Sequence, residues 1–250
     1  MDPEACHFHL LLQAEWLAES RRFLFRKVGI ANRDSILDFG CGSGVITDEL
    51  RLRSGKDVIG IDRDPEMVRL AGRVFPETRF EIGGEDTLLR EKRRFDLIVF
   101  SFVLMWQKSP VQFLKKMKKL LNPDGKLLFL AEPDYDGRID VPDELSGLKN
   151  FYGDCIREEG GDPFIGRKLH HLLATSGFVP EVGVFNHFSV VRPHDRKIWE
   201  REWRFWEELS RKDVRSLRNR EWKAIRQGKR MVLFPLFYAL APVKWKSPGR

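Results

Sequence analysis

The segment Ile36–Gly44 reads ILDFGCGSG and combines a carboxylate with three glycines at the end of an apolar run. Asp38 stands two residues before Gly40, and Gly40, Gly42 and Gly44 alternate with Cys41 and Ser43. Glycine accepts positive φ and lets a ligand approach the backbone without a Cβ in the way. The spacing is G-x-G-x-G, whereas a dinucleotide loop reads G-x-G-x-x-G and points a helix N-terminus at a pyrophosphate. A carboxylate at position 38 would repel a pyrophosphate and suits a ligand carrying an ammonium and a sulfonium cation. A second carboxylate, Asp62, closes the apolar run Val58–Ile61, 20 residues after Gly42. From a neighbouring strand tip it would accept both hydroxyls of a ribose. It could also cap the helical segment that begins at Pro65, although Asp64 is better placed for that task.

These residues need a scaffold that brings strand ends together. Short apolar runs at Ser35–Phe39, Val58–Ile61, Arg79–Ile82, Leu97–Phe100 and Lys126–Ala131 alternate with helical patterns. Val45–Arg51 is the helix behind the glycine loop. Pro110–Leu121 is another, with Ser109 as its cap and Phe113, Leu114, Met117, Leu120 and Leu121 on one face. Asn122–Gly125 reads as the turn into the next strand. Strands alternating with helices predict an α/β fold with a doubly wound, mostly parallel sheet. Beyond Ala131, Asp140–Gly177 reads mostly helical, Val182–Val191 as a strand, Arg196–Arg230 as a charged helical region with breaks, and Met231–Val243 as the last, buried strand.

ILDFGCGSG and VIGIDRDPEMV resemble the first two motifs of the class I S-adenosylmethionine-dependent methyltransferase superfamily. FDLIVFSFVLMW resembles the fourth-strand region of its small-molecule branch and LLNPDGKLLFLAEPD the fifth. The resemblance runs from Ile36 to Asp134, and GDPFIGRKLHHLLATSGF is more loosely similar to the helix before the sixth strand. It implies a seven-stranded Rossmann-like sheet in one domain: N-terminal helices over 1–34, a cofactor-binding core over 35–134, and a substrate-side half over 135–250 with a helical insertion. It also implies residue roles. Asp38 lies near the methionine amino group; Gly40, Cys41 and Gly42 present backbone to the cofactor, with Gly44 in the same loop. Asp62 binds the ribose and Arg63 packs beside the adenine. After the third strand the family has a G-D-A-like turn whose aspartate meets the adenine amine. This chain holds Gly84 there, so Glu85 or Asp86 substitutes. Ser101 and Phe102 border the methionine and the transferred methyl.

The implied reaction is transfer of the sulfonium methyl to a small-molecule acceptor, in line and largely by positioning. No catalytic residue is assigned. His170, His171, His187, Glu132 and Asp134 are candidate bases, each with an ordinary structural alternative, and Trp106 could wall the acceptor pocket. An N/D-P-P-Y/F motif, a Pro-Cys pair and G-x-S-x-G are all absent, which disfavours base methylation in nucleic acid, cytosine-carbon methylation and a hydrolase elbow.

Composition sets the remaining bounds. With 250 residues, 42% hydrophobic and 32% charged, the chain can bury a sizeable core. Cys6, Cys41 and Cys155 share no metal or disulfide spacing, and no metal site, signal peptide or bilayer-length run is expected, all of which suits the cytoplasm. Of a net charge of +7, Val191–Arg250 carries 17 Lys and Arg against 7 Asp and Glu. That basic segment could attract nucleic acid, lipid or an acidic small molecule, or be a solvated face. Trp199, Trp203 and Trp206 share one helical face there, interleaved with Arg201, Arg204 and Arg211, which favours a lid over about 196–230 above an RNA surface. RNA- or protein-directed transfer, a cofactor-binding protein without transfer, and a nicotinamide oxidoreductase stand as alternatives. Oligomeric state is not readable from the sequence.

Overall fold

A computed structural model of the chain describes residues 2–210 and 212–243. Arg211, one of the interleaved arginines, and residues 244–250 of the basic segment lie outside the described residues.

Two helices come first, α1 (Pro3–Trp16) and α2 (Ala18–Val28). Five strands alternating with four helices follow: β1 (Ser35–Phe39), α3 (Val45–Ser54), β2 (Asp57–Asp62), α4 (Pro65–Val74), β3 (Arg79–Ile82), α5 (Glu85–Arg90), β4 (Phe95–Ser101), α6 (Pro110–Lys119) and β5 (Leu121–Pro133). The remainder of the chain contains β6 (Ile139–Val141), α7 (Leu148–Glu158), α8 (Ile165–Thr175), β7 (Glu181–Val190), α9 (Arg196–Leu209), α10 (Arg215–Arg226) and β8 (Met231–Pro242). The sheet order is β3-β2-β1-β4-β5-β8, with β1 to β5 parallel and β8 antiparallel to β5. β7 pairs antiparallel with β8 along Glu181–Val190 and forms the outer edge, so seven principal strands make the doubly wound sheet. The three-residue β6 adds an eighth, pairing with Met231–Leu233 of β8.

Successive residues of the central strands feed two separate cores, as a sheet covered on both faces requires. Leu37, Ile98, Phe100, Leu127 and Phe129 face one core; Ile36, Leu97, Val99, Leu128 and Leu130 face the other. The first core continues beyond the sheet into Leu148, Tyr152, Trp203 and Trp206.

Asp64 caps α4 as expected, its Oδ1 accepting from Glu66 N at 2.8 Å with Pro65 in the first turn. Asn122–Gly125 turns as expected: a Cβ on Gly125 would stand 3.0 Å from Asn122 O and 3.1 Å from Asn122 N, so the chain doubles back between the Phe95–Leu121 and Leu97–Lys126 pairings. Two local expectations need correction. Ser109 occupies the N-cap position of α6 but makes no capping hydrogen bond. Asp140 lies in β6, so the stretch from Asp140 to Gly177 opens on a strand, not a helix.

Candidate cofactor and acceptor site

The order reverses at β1, between β2 on one side and β4 on the other, and open α/β sheets place their ligand crevice at the carboxyl ends of such strands. The glycine loop lies there. Gly40, Gly42 and Gly44 have φ of +74°, +50° and +85°, in the left-handed region that disfavours side chains. Gly40 N and Cys41 N both donate to Ile61 O, at 2.8 and 3.0 Å, which ties the loop to the end of β2. A Cβ on Gly44 would stand 2.5 Å from the Phe80 ring, whereas one on Gly42 would meet only Leu10 Cδ1, on α1, at 2.8 Å.

Asp38 is buried at 2% exposure, and one of its oxygens accepts from Thr47 Oγ1 at 2.6 Å. Burial, with a contribution from Asp62, pushes its pKa up to about 7. Asp62 accepts from Gly42 N at 2.8 Å and from Asp64 N at 3.0 Å. It therefore braces the loop, and a carboxylate's remaining lone pairs leave capacity for a ligand hydroxyl. Asp38, Gly40, Cys41, Gly42 and Ser101 line one cavity, with Asp62 bonded directly to its wall.

Other expected residues are arranged differently. Gly44 precedes α3, behind the cavity, and Arg63 is exposed beyond β2. Glu85 and Asp86 open α5, and Lys116 of α6 holds both, at 3.2 and 2.8 Å. Phe102 is one of two described non-glycine residues with positive φ, +57°, and its N–H donates to Ala131 O at 2.9 Å. Backbone strain of this kind persists only where the surroundings impose it. Glu132 supplies much of that constraint. Fully buried, it accepts from Val103 N, Leu104 N and Met105 N at 3.1, 2.9 and 3.3 Å, while burial pushes its pKa up to about 8. Glu132 is thus a staple under the turn after β4.

The remaining candidate bases separate on the same grounds. Asp134 is held by both Arg167 Nε and Nη2 at 2.8 Å. His170 and His171 are exposed on α8. His187 stacks on Trp16 at 4.6 Å, and burial and then Arg138 lower its pKa to about 4. Trp106 packs against Gly161, leaving no room there for a side chain.

The sequence places helices over 1–34 but gives α1 no part in the site. Leu10, Gln13, Ala14 and Leu17 roof the cavity, and His7 Nδ1 lies 2.7 Å from Ser43 Oγ of the glycine loop. Under this roof the cavity holds about 40 Å³, room for only a few waters. The only available signal was the apolar run at Leu10–Leu12, which a core helix also shows. α1 also touches α9: His9 stacks on Phe205 with centroids 3.9 Å apart, and Arg201 covers Phe8 at 3.6 Å. On α9, Trp199, Trp203 and Trp206 face inward and are buried, while Arg201 and Arg204 are exposed.

The chain is similar to several known proteins in sequence and in fold. A protein of 37.1 kDa in transposon TN4556 of Streptomyces fradiae is 37% identical over 159 residues, 60% of this chain and 45% of that protein. The ubiquinone biosynthesis O-methyltransferase of Actinobacillus pleuropneumoniae is 28% identical over 132 residues, 48% of this chain and 53% of that enzyme. The chain thus spans about half the length of the curated relatives it matches. The crystal structure of the plantazolicin methyltransferase BpumL in complex with SAH superposes with a TM-score of 0.55 at 14% identity, covering 98% of this chain and 92% of that one. A family model described as a methyltransferase domain matches residues 9–181, so the chain belongs to the methyltransferase-domain family.

Proposed function

We propose that the chain transfers a methyl group from S-adenosylmethionine to a small-molecule acceptor. The observation that carries this reading is Asp38: a buried carboxylate with no cationic partner among the described residues, beneath a positive-φ glycine loop that Asp62 braces from the next strand. Such a pair suits an ammonium at one end of a ligand and a ribose at the other. When bound, the cofactor supplies an electrophilic methyl whose carbon–sulfur bond breaks as the acceptor's bond to carbon forms. The residues of the chain bind, orient and exclude water. Asp38 would hold the ammonium, Asp62 the ribose hydroxyls, and Gly40, Cys41 and Gly42 would present backbone. Arg63, Glu85 and Asp86 would flank the adenine, the last two by releasing Lys116 or by sharing it. Ser101 and Phe102 would border the methyl, with Glu132 fixing their turn. The helices α9 and α10 would act as a lid over the acceptor, within a single domain spanning 1–250.

The inward tryptophans and outward arginines of α9 favour the lid over an RNA surface, where both would be exposed together. No described helix is long and apolar enough to cross a membrane. The location we propose is cytoplasmic, on the cysteine usage of the sequence. Calorimetry should show S-adenosylhomocysteine binding and no NADH binding; the opposite pattern would overturn the reading. Incubation of the protein and labelled donor with a metabolite extract then identifies the acceptor.

A further inference from the structure

A second cavity, of about 220 Å³, opens between α2 and α3 and shares no lining residue with the one beneath α1. A water needs about 10–15 Å³ of such space, so this cavity can admit a ligand much larger than water. Two buried apolar residues, Phe25 and Ile30, line it together with three exposed arginines, Arg22, Arg26 and Arg53.

The three guanidiniums are unequally satisfied. Arg53 Nε donates to Glu49 Oε1 at 2.6 Å, but Glu49 is shared: its Oε2 accepts from Arg21 Nε at 2.6 Å and lies 2.5 Å from Arg21 Nη2. Glu49 thus stands between the two cavities, since Arg21 lines the first and Arg53 the second. The side chains of Arg22 and Arg26 make no ion pair or hydrogen bond among the described residues. Arg21, Arg22, Arg26 and Arg53 carry four positive charges against the one negative charge of Glu49, an excess of three. Burial lowers the Arg21 pKa, and Arg53 and Arg22 lower it further, so these cations already repel one another. Helix C-termini accept cations, and Arg26 and Arg53 stand in the last turns of α2 and α3. That accounts for each of them singly. It does not account for Arg22, a turn earlier, or for all three around one cavity.

We propose that this cavity binds a phosphomonoester dianion, held by Arg22, Arg26 and Arg53. A guanidinium fork matches phosphate oxygens with paired hydrogen bonds. A phosphoryl dianion offsets two of the three excess charges, where a carboxylate offsets one. A single-stranded nucleic acid would need exposed rings on which to stack its bases, and the ring that lines this cavity, Phe25, is 2% exposed. Recognition here therefore rests on charge and on the guanidinium forks.

The test is calorimetry on the full chain at pH 8 and fixed ionic strength, where a phosphomonoester is a dianion. Glycerol 3-phosphate should bind at least about tenfold more tightly than glycerate, its carboxylate counterpart. Arg22→Gln combined with Arg26→Gln should remove that preference. Arg226→Gln combined with Lys229→Gln takes the same charge from exposed positions at the end of α10 and should keep it. Saturating S-adenosylhomocysteine should leave it unchanged. Equal binding of glycerate overturns the proposal, as does a preference that survives loss of Arg22 and Arg26 or that disappears with Arg226 and Lys229. Displacement of glycerol 3-phosphate by S-adenosylhomocysteine overturns it too, by placing the phosphoryl group in the cofactor cavity. Flotation with vesicles of phosphatidylcholine and phosphatidic acid separates the sources of the group. Vesicle binding that is lost with Arg22 and Arg26 assigns it to a lipid headgroup, and no vesicle binding assigns it to a free phosphomonoester. Neither glycerol 3-phosphate nor glycerate is a methyl donor, so a failure of the cofactor reading leaves this site standing.

Discussion

Glu132 separates a structural carboxylate from a catalytic one. Its side chain is the acceptor for three consecutive buried N–H groups, Val103, Leu104 and Met105. Truncation to alanine removes all three bonds and opens a small void. Each orphaned buried donor costs about 1–3 kcal/mol, and the three share one turn and relax together, so a loss of about 3–6 kcal/mol is expected for Glu132→Ala. Glu132→Gln keeps one acceptor oxygen for Val103 and Leu104, whose bonds are the shorter ones. Its amide would face Met105 N–H, which costs about 1–3 kcal/mol. For a chain of this size 1 kcal/mol shifts the unfolding midpoint by about 2–4 °C. Thermal unfolding should therefore show a fall of about 6–24 °C for the alanine variant and a smaller one for glutamine. Turnover should fall in step with the population of the folded turn. An alanine variant that unfolds within about 2 °C of wild type yet loses all turnover would refute the staple and restore Glu132 as a base.

Three further outcomes follow from the same geometry. Asp62→Ala should weaken S-adenosylhomocysteine binding by about one to two orders of magnitude and lower the unfolding midpoint by a few degrees, because Gly42 and Asp64 lose their acceptor; unchanged calorimetric affinity would show the ribose misplaced. Gly44→Ala should cost about 2–4 kcal/mol, from left-handed strain plus collision with the Phe80 ring; Gly42→Ala should cost less and be partly rescued by Leu10→Ala, as a double-mutant cycle in thermal unfolding would reveal. Asp38 titrates near 7 in the fold, above its ordinary value of 3.8, so its burial favours folding below that ordinary value and the benefit fades as pH rises through about 7. A ligand ammonium needs the ionised form, so cofactor affinity should rise with pH up to about 7 and binding below that should release a proton, measurable by calorimetry in buffers of different ionisation enthalpy.

The cofactor side was legible because local backbone chemistry dictates it. Glycines at 40, 42 and 44 announce positive φ, Asp64 with Pro65 announces a helix start, and the apolar runs fall on β1 to β5 within a few residues. What escaped was tertiary. Glu132 reaches N–H groups 27 to 29 residues earlier, and nothing in EPDYDG signals that bond. Helix α1 is gripped by the glycine loop on one side and by α9 on the other, so it shows no simple polar face to reveal its role as a roof. The tryptophan stripe of α9 was readable as one face, but Glu221, the acceptor for two of its indoles, lies on the next helix.

The hairpin of β7 and β8 shapes how such a protein can change. Val190 pairs with Met231, and Val191 N donates to Arg230 O at 3.1 Å, so the chain leaves the sheet and returns to it at adjoining points. A segment hung from so narrow a stem can vary in length at little entropic cost, since loop closure grows by only about 0.6 kcal/mol per doubling. The helices α9 and α10 are then an exchangeable cassette on a constant platform, and the family match ends at residue 181, where β7 begins. One lock restrains the exchange. Arg230, buried at 1% exposure, pairs with Asp140 on the platform and with Glu221 in the cassette. A graft that brings new helices must therefore carry its own partner for Arg230, or replace Arg230 and Asp140 together. Acceptor choice could in this way be rewritten by recombination at a single stem, with the cofactor loop left untouched.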